Sequence, residues 1–185
     1  MQTEIIIAGF GGQGVLFAGQ VLAYAAMDND LHVTWIPSYG PEMRGGTANC
    51  TVIIGDEPIG APIVKHPKAV IALNLPSLDK YEPLVAENGI LLVNSSLIER
   101  KVERPDVHVV YVSANEIAER LGDKRLTNMV MVGAWLGASG VLDMKAVQTS
   151  LKAHLPAKHH KLLPANYLAL EEGAQIARET LAQAA

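Results

Sequence analysis

The sequence holds one cysteine, Cys50, in 185 residues. No internal disulfide can form, which fits a reducing compartment. One thiol also cannot supply the ligands of an iron–sulfur cluster or a structural zinc. Positive charge is not in excess: 15 Lys and Arg face 19 Asp and Glu, a net of -4. That excludes the basic footprint of a nonspecific nucleic-acid binder. Charge of either sign is thin, at 18% of residues. Exposed charge is what normally keeps a lone domain soluble, so part of the surface is expected to be covered by another chain. Long apolar runs are missing as well. The longest, Met129 to Leu142, is too short for a bilayer and is broken by Gly133, Gly137 and Gly140. It reads as a buried helix, and no membrane contact is expected. The first residues carry no basic region, and Ile5 leads straight into a strand pattern. No secretory leader is read there, and a cytoplasmic setting is expected.

What is present reads as one α/β domain over residues 1–185. Residues 4–8 form a β-branched run closed by glycine, the pattern of a buried parallel strand. A helix over 13–27 and a strand over 32–36 follow, the opening of a doubly wound fold. Residues 37–46 break the pattern with prolines and glycines. Further strands are predicted at 47–54, 69–73, 90–93 and 107–112. A weak helix is predicted over 78–87, interrupted by Pro83, and another over 114–121. Beyond that the chain turns helical: 128–139, capped by Thr127 or Asn128, then 144–154, then 168–184. The expectation is a three-layer α/β/α sandwich, Rossmann-like, with a mostly parallel sheet and a helical C-terminal part.

Gly9-Phe10-Gly11-Gly12-Gln13-Gly14 matches G-x-G-x-x-G between a predicted strand and a predicted helix. In that context small residues let backbone approach a phosphate, and the helix N-terminus offers free N–H groups and partial positive charge. The plainer reading is a tight turn whose glycines only permit packing. A nicotinamide site places Asp or Glu at the end of the second strand. Here that strand ends Trp35-Ile36-Pro37-Ser38, which argues against NAD. No G-x-x-x-x-G-K-[ST] occurs, so a P-loop is excluded.

A second loop, Ser38 to Gly46, combines Tyr39, Glu42 and Arg44 among glycines and a proline. After the second strand of a doubly wound sheet it lies beside the first glycine loop, where Arg44 can offer its fork to a phosphate. With these two loops the chain resembles the gamma subunit of the 2-oxoacid:ferredoxin oxidoreductases, the family of the pyruvate, 2-oxoglutarate and 2-oxoisovalerate enzymes. The motifs are GxGGQG, here Gly9 to Gly14, and YGPExRGG, here Tyr39 to Gly46. Thr47-Ala48-Asn49-Cys50 and Thr127-Asn128-Met129 add to a likeness over essentially the whole chain.

The resemblance implies oxidative decarboxylation of a 2-oxoacid, with the acyl group passed to coenzyme A and electrons to ferredoxin. It implies thiamine diphosphate between alpha and beta subunits, and iron–sulfur clusters in beta and a ferredoxin-like delta subunit. This chain is then a subunit that is not catalytic alone, with no catalytic residue and no metal ligand. In single-chain relatives the gamma part is a middle domain bordering the coenzyme A path. The expected cofactor-binding residues are Gly9, Gly11, Gly12, Gln13, Gly14, Tyr39, Arg44, Gly45 and Gly46. Gln13 donates from the first helical turn, and Glu42 is a partner of Arg44 or an interface residue. The 2-oxoacid is chosen on other chains, with 2-oxoglutarate narrowly ahead of branched-chain acids and pyruvate third. An isolated gamma subunit can also pair with itself as a homodimer. Two other readings stay open: an architectural subunit whose loops touch no ligand, and an independent nucleotide-binding oxidoreductase.

The remaining polar residues have plainer readings. Asn74, Asn94 and Ser95 fall at strand ends, where ligands gather, but turn chemistry is favoured. Asn128 is first a cap. Lys158-His159-His160-Lys161 is favoured as a solvated loop over a metal site, and Lys124-Arg125 as surface. Cys50 is expected to be buried and inert, and Met129, Met131 and Trp135 to be core or interface.

Overall fold

The computed structural model describes residues 1–39 and 46–184. Runs that are apolar at every position suit strands covered on both faces. β4 (Ala69–Ala72) is of this kind throughout, as are residues 5–8 of β1 (Gln2–Phe10) and 90–93 of β5 (Ile90–Asn94). With β2 (His32–Tyr39), β3 (Thr47–Gly55) and β6 (His108–Val112) they form one sheet of order β2-β3-β1-β4-β5-β6. β1, β4, β5 and β6 are mutually parallel, while β3 runs antiparallel to both β1 and β2. Every strand but β3 therefore points the same way, as a mostly parallel sheet requires.

The expected opening of strand, glycine loop, helix and strand is present, but the second strand does not lie against the first. β3 returns directly from β2 and inserts between them. A short connection can join only antiparallel neighbours, whereas the β1-to-β2 crossover uses a helix and can leave a gap. β2 is left at the sheet edge, where its Pro37 removes a donor that no neighbouring strand needs.

Period-two alternation divides the core. Ile5, Ile7, Val52, Ile54 and Leu92 face α1 (Val15–Met27), α4 (Thr127–Ser139), α5 (Met144–His154) and α6 (Leu163–Ala184). Ile6, Ala8, Val70, Leu91 and Val93 face Leu78 and Tyr81 of α2 (Leu75–Tyr81). α3 (Ala114–Arg120) joins the first group through Ile117 and Ala118. Met129, Met131 and Trp135 are all fully buried in that larger core. The result is three layers, with most helices on one face.

Several boundaries differ from the sequence reading. α1 starts at Val15, because Gly12 (φ 99°) and Gly14 (φ 72°) hold left-handed conformations that cannot continue a right-handed helix. α2 starts at Leu75, capped by Asn74, whose side chain accepts the Ser77 N–H at 2.9 Å. It runs into a 3₁₀ turn, Glu82–Leu84, that accommodates Pro83. α6 starts at Leu163, after a 3₁₀ turn over Ala157–Leu162. Neither Thr127 nor Asn128 caps α4. Leu126 holds that position, because the 3₁₀ turn Lys124–Leu126, itself capped by Asp123, leads straight into the helix. The Thr127 hydroxyl donates back to the Lys124 carbonyl at 2.9 Å.

Cys50 lies at the contact of α1 with β3. It is fully buried, and its Sγ donates to the Val15 carbonyl at 3.4 Å. A Cβ on Gly19 would meet that sulfur at 2.5 Å, so the helix approaches the strand only because residue 19 has no side chain. Burial pushes the thiol up to about 12, leaving almost no thiolate at neutral pH. Maleimide labelling of the native protein should therefore proceed only as fast as unfolding exposes Cys50. Stoichiometric labelling within minutes under native conditions would contradict this.

Candidate functional site at the head of the sheet

From the C-terminal end of β1 the chain crosses to α1 on one face. From the end of β4 it passes to α2 on the other. The crevice between these two strand ends is the switch point where open α/β sheets collect ligands. The glycine turn after β1 fills its rim. Gly9 has no room for a side chain: a Cβ there would lie 2.6 Å from Gln13 Oε1 and 3.0 Å from Leu73 Cβ. Gly14 combines its left-handed φ with a Cβ position only 2.3 Å from Asn128 Nδ2. Glycine is required there twice over.

Gln13 precedes α1 rather than standing in its first turn, and its carboxamide points inward. Oε1 accepts the Phe10 N–H at 2.6 Å and Asn74 Nδ2 at 3.3 Å, while Nε2 donates to the Leu73 carbonyl at 3.4 Å. This side chain ties the turn after β1 to the turn after β4. Two further buried asparagines brace the same ground. Asn94 donates to the Leu73 carbonyl at 3.3 Å and to Asn115 Oδ1 at 2.9 Å. Asn128 donates to the Gly14 carbonyl at 3.0 Å. Ser95 only continues the ladder, its N–H donating to the Val112 carbonyl at 2.9 Å.

The outward side of the turn is a row of donors. The Gly11 N–H donates to the Gly46 carbonyl at 2.8 Å, and the Gln13 N–H to the Phe10 carbonyl at 3.1 Å. The N–H groups of Gly12, Gly14, Val15 and Leu16 find no acceptor among the described residues. No acidic residue stands in the first turn of α1. Open N–H groups and the positive end of the helix therefore face outward together. Gly12 and Gly14 line a cavity of about 470 Å³ whose walls also include Arg125, Asn128, Lys161 and Asn166. Arg125 is held by Asp123 at 2.7 Å. His159, from the segment read as a solvated loop, also lines the cavity.

The second loop begins where it was expected. Phe10 pairs with Thr47 across β1 and β3, and the contact of Gly11 with Gly46 extends that register beside the glycine turn. Tyr39 ends β2 opposite Ala48. Glu42, Arg44 and Gly45 lie outside the described residues. Arg125, from the pair favoured as surface, and Lys161, from the segment favoured as a solvated loop, both line this cavity. Nothing in the linear sequence joins them to Gly12, and only the packing of α4 and α6 beside α1 does.

Among the described residues, no three His, Cys, Asp or Glu side chains converge as a metal site, and no helix is long and apolar enough to cross a membrane. The arrangement defines an open α/β domain with a donor-lined glycine turn at its switch point. The family model for pyruvate ferredoxin/flavodoxin oxidoreductase matches residues 4–176, and the chain belongs to that family, within its gamma-subunit branch. It is 41% identical over 182 residues to the ketoisovalerate oxidoreductase subunit VorA of Methanothermobacter thermautotrophicus. That match covers 97% of this chain but 37% of the relative, so the chain spans little more than a third of that protein's length. It is 35% identical to the 2-oxoglutarate synthase subunit KorC of Methanothermobacter marburgensis, covering 97% of this chain and 98% of that one. The crystal structure of a keto/oxoacid ferredoxin oxidoreductase gamma subunit from Geobacter sulfurreducens superposes with a TM-score of 0.80. Identity there is 29%, with 95% of this chain and 98% of that chain covered.

Proposed function

We propose that this chain works, as one gamma-type domain over residues 1–185, in a multi-subunit 2-oxoacid:ferredoxin oxidoreductase. The complex oxidatively decarboxylates a 2-oxoacid to an acyl-coenzyme A and reduces ferredoxin, in a cytoplasmic setting. The part assigned to this chain is to hold coenzyme A. Thiamine diphosphate and the iron–sulfur clusters belong to the alpha, beta and delta partners, since one buried cysteine offers no cluster ligands.

The observation that supports the proposal is that Gly12 and Gly14, whose N–H groups find no acceptor among the described residues, line one cavity with Arg125 and Lys161. Fixed backbone donors and cations suit the phosphates of coenzyme A, which are the charged groups a binding subunit must hold. Gly9, Gly11 and Gln13 shape the turn, and Tyr39, Arg44, Gly45 and Gly46 of the second loop are assigned to the same ligand. None of these groups takes part in bond making. Their work is to fix one end of the molecule so that its thiol reaches chemistry on a neighbouring chain.

The test is coenzyme A saturation kinetics of the reconstituted complex, wild type against Arg44→Ala. The expected result is a rise of about ten-fold in KM for coenzyme A, the size of one charge-assisted hydrogen bond, with the 2-oxoacid KM unchanged. Unchanged coenzyme A kinetics in a fully assembled complex would hand the lead to the architectural reading.

A further inference from the structure

β2 lies at the edge of the sheet, and the register shows which of its backbone groups face outward. The Gly11 N–H donates to the Gly46 carbonyl at 2.8 Å, and the Asp56 N–H to the Met1 carbonyl at 3.1 Å. Even-numbered residues of β3 therefore bond to β1. Bonding alternates along an antiparallel strand, so the odd-numbered residues bond to β2, where they stand opposite His32, Thr34, Ile36 and Ser38. Val33, Trp35 and Pro37 turn their backbone groups away from the sheet. The N–H groups of Val33 and Trp35 find no acceptor among the described residues.

Sheet edges are normally guarded by charge, by proline or by a covering element. Residues 33–39 carry no charge, and Pro37 guards only one end of the strand. One face of β2 is uncovered as well. Val33 and Trp35 pack against the larger core, so Thr34, Ile36 and Ser38 lie on the opposite face. The smaller core on that face, beneath α2, draws on β1, β4, β5 and β6 and not on β2. Ile36 is 41% exposed, and the Thr34 hydroxyl has no hydrogen-bond partner among the described residues.

We infer that this edge takes a second copy of the chain, β2 pairing antiparallel with β2 about a two-fold axis at Thr34. The edge is complementary to itself in that register. Val33 stands opposite Trp35 of the second copy, and the pair exchanges both of its N–H···O=C bonds. An axis at Trp35 would set the Pro37 ring, which has no N–H, against the Val33 carbonyl. An axis at Val33 would set Trp35 against Leu31, whose N–H is already given to the Ala26 carbonyl at 3.0 Å. At the Thr34 axis the two threonines form a non-hydrogen-bonded pair, the closer kind, and their hydroxyls meet after a turn about χ1. No like charges are opposed over residues 33–35. The helices leave room for the pairing. α1 packs over β3, where Gly19 lies against Cys50, one strand in from the edge. Three strand spacings of about 4.8 Å set the two α1 axes about 14 Å apart, wider than the ~10–12 Å of a helix with its side chains. So short a ladder buries less than the roughly 800 Å² per partner of a standard stable interface, so the dimer is weak and forms only at high concentration.

The test is oxidative cross-linking of the full chain, read beside sedimentation velocity over a concentration series. Thr34→Cys sets two thiols across the axis, in the close pairing that a disulfide can span. Two copies of Ser38→Cys are eight residues apart along the same ladder, about 26 Å at ~3.3 Å per residue, and cannot link. Cys50 is fully buried and stays out of the reaction. Both variants exchange a hydroxyl for a thiol at partly exposed or exposed strand positions, so both should fold. Wild type is expected to pass from monomer to dimer as concentration rises. Thr34→Cys should then give a disulfide-linked dimer and Ser38→Cys none. A wild type that stays monomeric throughout the series, Thr34→Cys left unlinked under oxidation, or Ser38→Cys linked as readily, would each overturn the pairing and leave the edge to a strand of another chain.

Discussion

Gly133→Ala is expected to lower the melting temperature by about 6–12 °C, a loss of about 3 kcal/mol for a chain of this size. Helix propensity alone argues the opposite. Alanine in the middle of a helix is better than glycine by about 1 kcal/mol, and Gly133 lies mid-way along α4. Packing decides the sign. A Cβ on Gly133 would stand 2.0 Å from the Leu170 carbonyl oxygen on α6. One on Gly137 would stand 2.2 Å from the Ala174 carbonyl oxygen, and one on Gly173 1.9 Å from the Val130 carbonyl oxygen. These neighbours are backbone atoms of regular helices, so no rotamer change relieves the clash and the helices must separate. Separation opens voids around Met129, Val130 and Leu170, all fully buried. Because one separation relieves all three contacts, Gly133→Ala with Gly173→Ala should cost less than the sum of the single changes. Gly60→Ala is the control, since nothing lies within 4 Å of its Cβ position. Urea and thermal unfolding measure all four variants. A Gly133→Ala protein as stable as wild type would refute the backbone-contact account. The change also reaches the candidate site, because α4 carries Asn128, which holds the Gly14 carbonyl.

How far this could be read in advance depended on the range of the interactions involved. Strands came out within a few residues because their signal is local, a β-branched run between turn formers. The antiparallel insertion of β3 did not, since nothing within residues 47–55 says which strand it will pair with. The sequence pattern starts α2 and α6 late, each beyond a proline, Pro76 or Pro164, that belongs inside a first turn where its missing N–H costs nothing. The glycine turn was legible as a turn. Gln13 was not legible as a plug, because its partners Leu73 and Asn74 lie about sixty residues on. The exposed side of α1 did leave a local sign. Phe17, Tyr24 and Met27 are large apolar residues off the helix face that carries Val15, Ala18, Leu22 and Ala25, and all three remain exposed. Apolar bulk on the solvent side of an otherwise buried helix is a surface signal worth reading.

Glu82→Ala is expected to cost about 2–4 kcal/mol, and the part of that cost carried by its charge should shrink in acid. Glu82 is 6% exposed at the end of α2. Its Oε2 takes Arg100 Nη2 at 2.7 Å and its Oε1 takes the Glu103 N–H at 2.6 Å. Arg104 adds bonds to the Glu82 and Val85 carbonyls at 3.3 and 3.2 Å. One carboxylate thus closes the segment after β5 over the smaller core of Tyr81, Val85 and Ile98. Removing one member of a buried pair costs about 3–5 kcal/mol. The figure is lower here because Arg100, with a side chain 31% exposed, can turn to water. Burial alone pushes the Glu82 carboxyl up, but the Arg100 guanidinium and the Glu103 N–H outweigh it and hold the group below the usual glutamate range. A carboxyl lowered by folding adds stability at pH above its unfolded value, about 4.3. That contribution is lost as pH falls through the folded value. The stability gap between wild type and Glu82→Gln should therefore be level from about pH 8 to about pH 5 and narrow progressively as pH falls below about pH 4. Urea unfolding of the pair from pH 3 to pH 8 reads it directly. A gap that stays constant down to pH 3 would mean that Glu82 holds this segment by shape and not by charge.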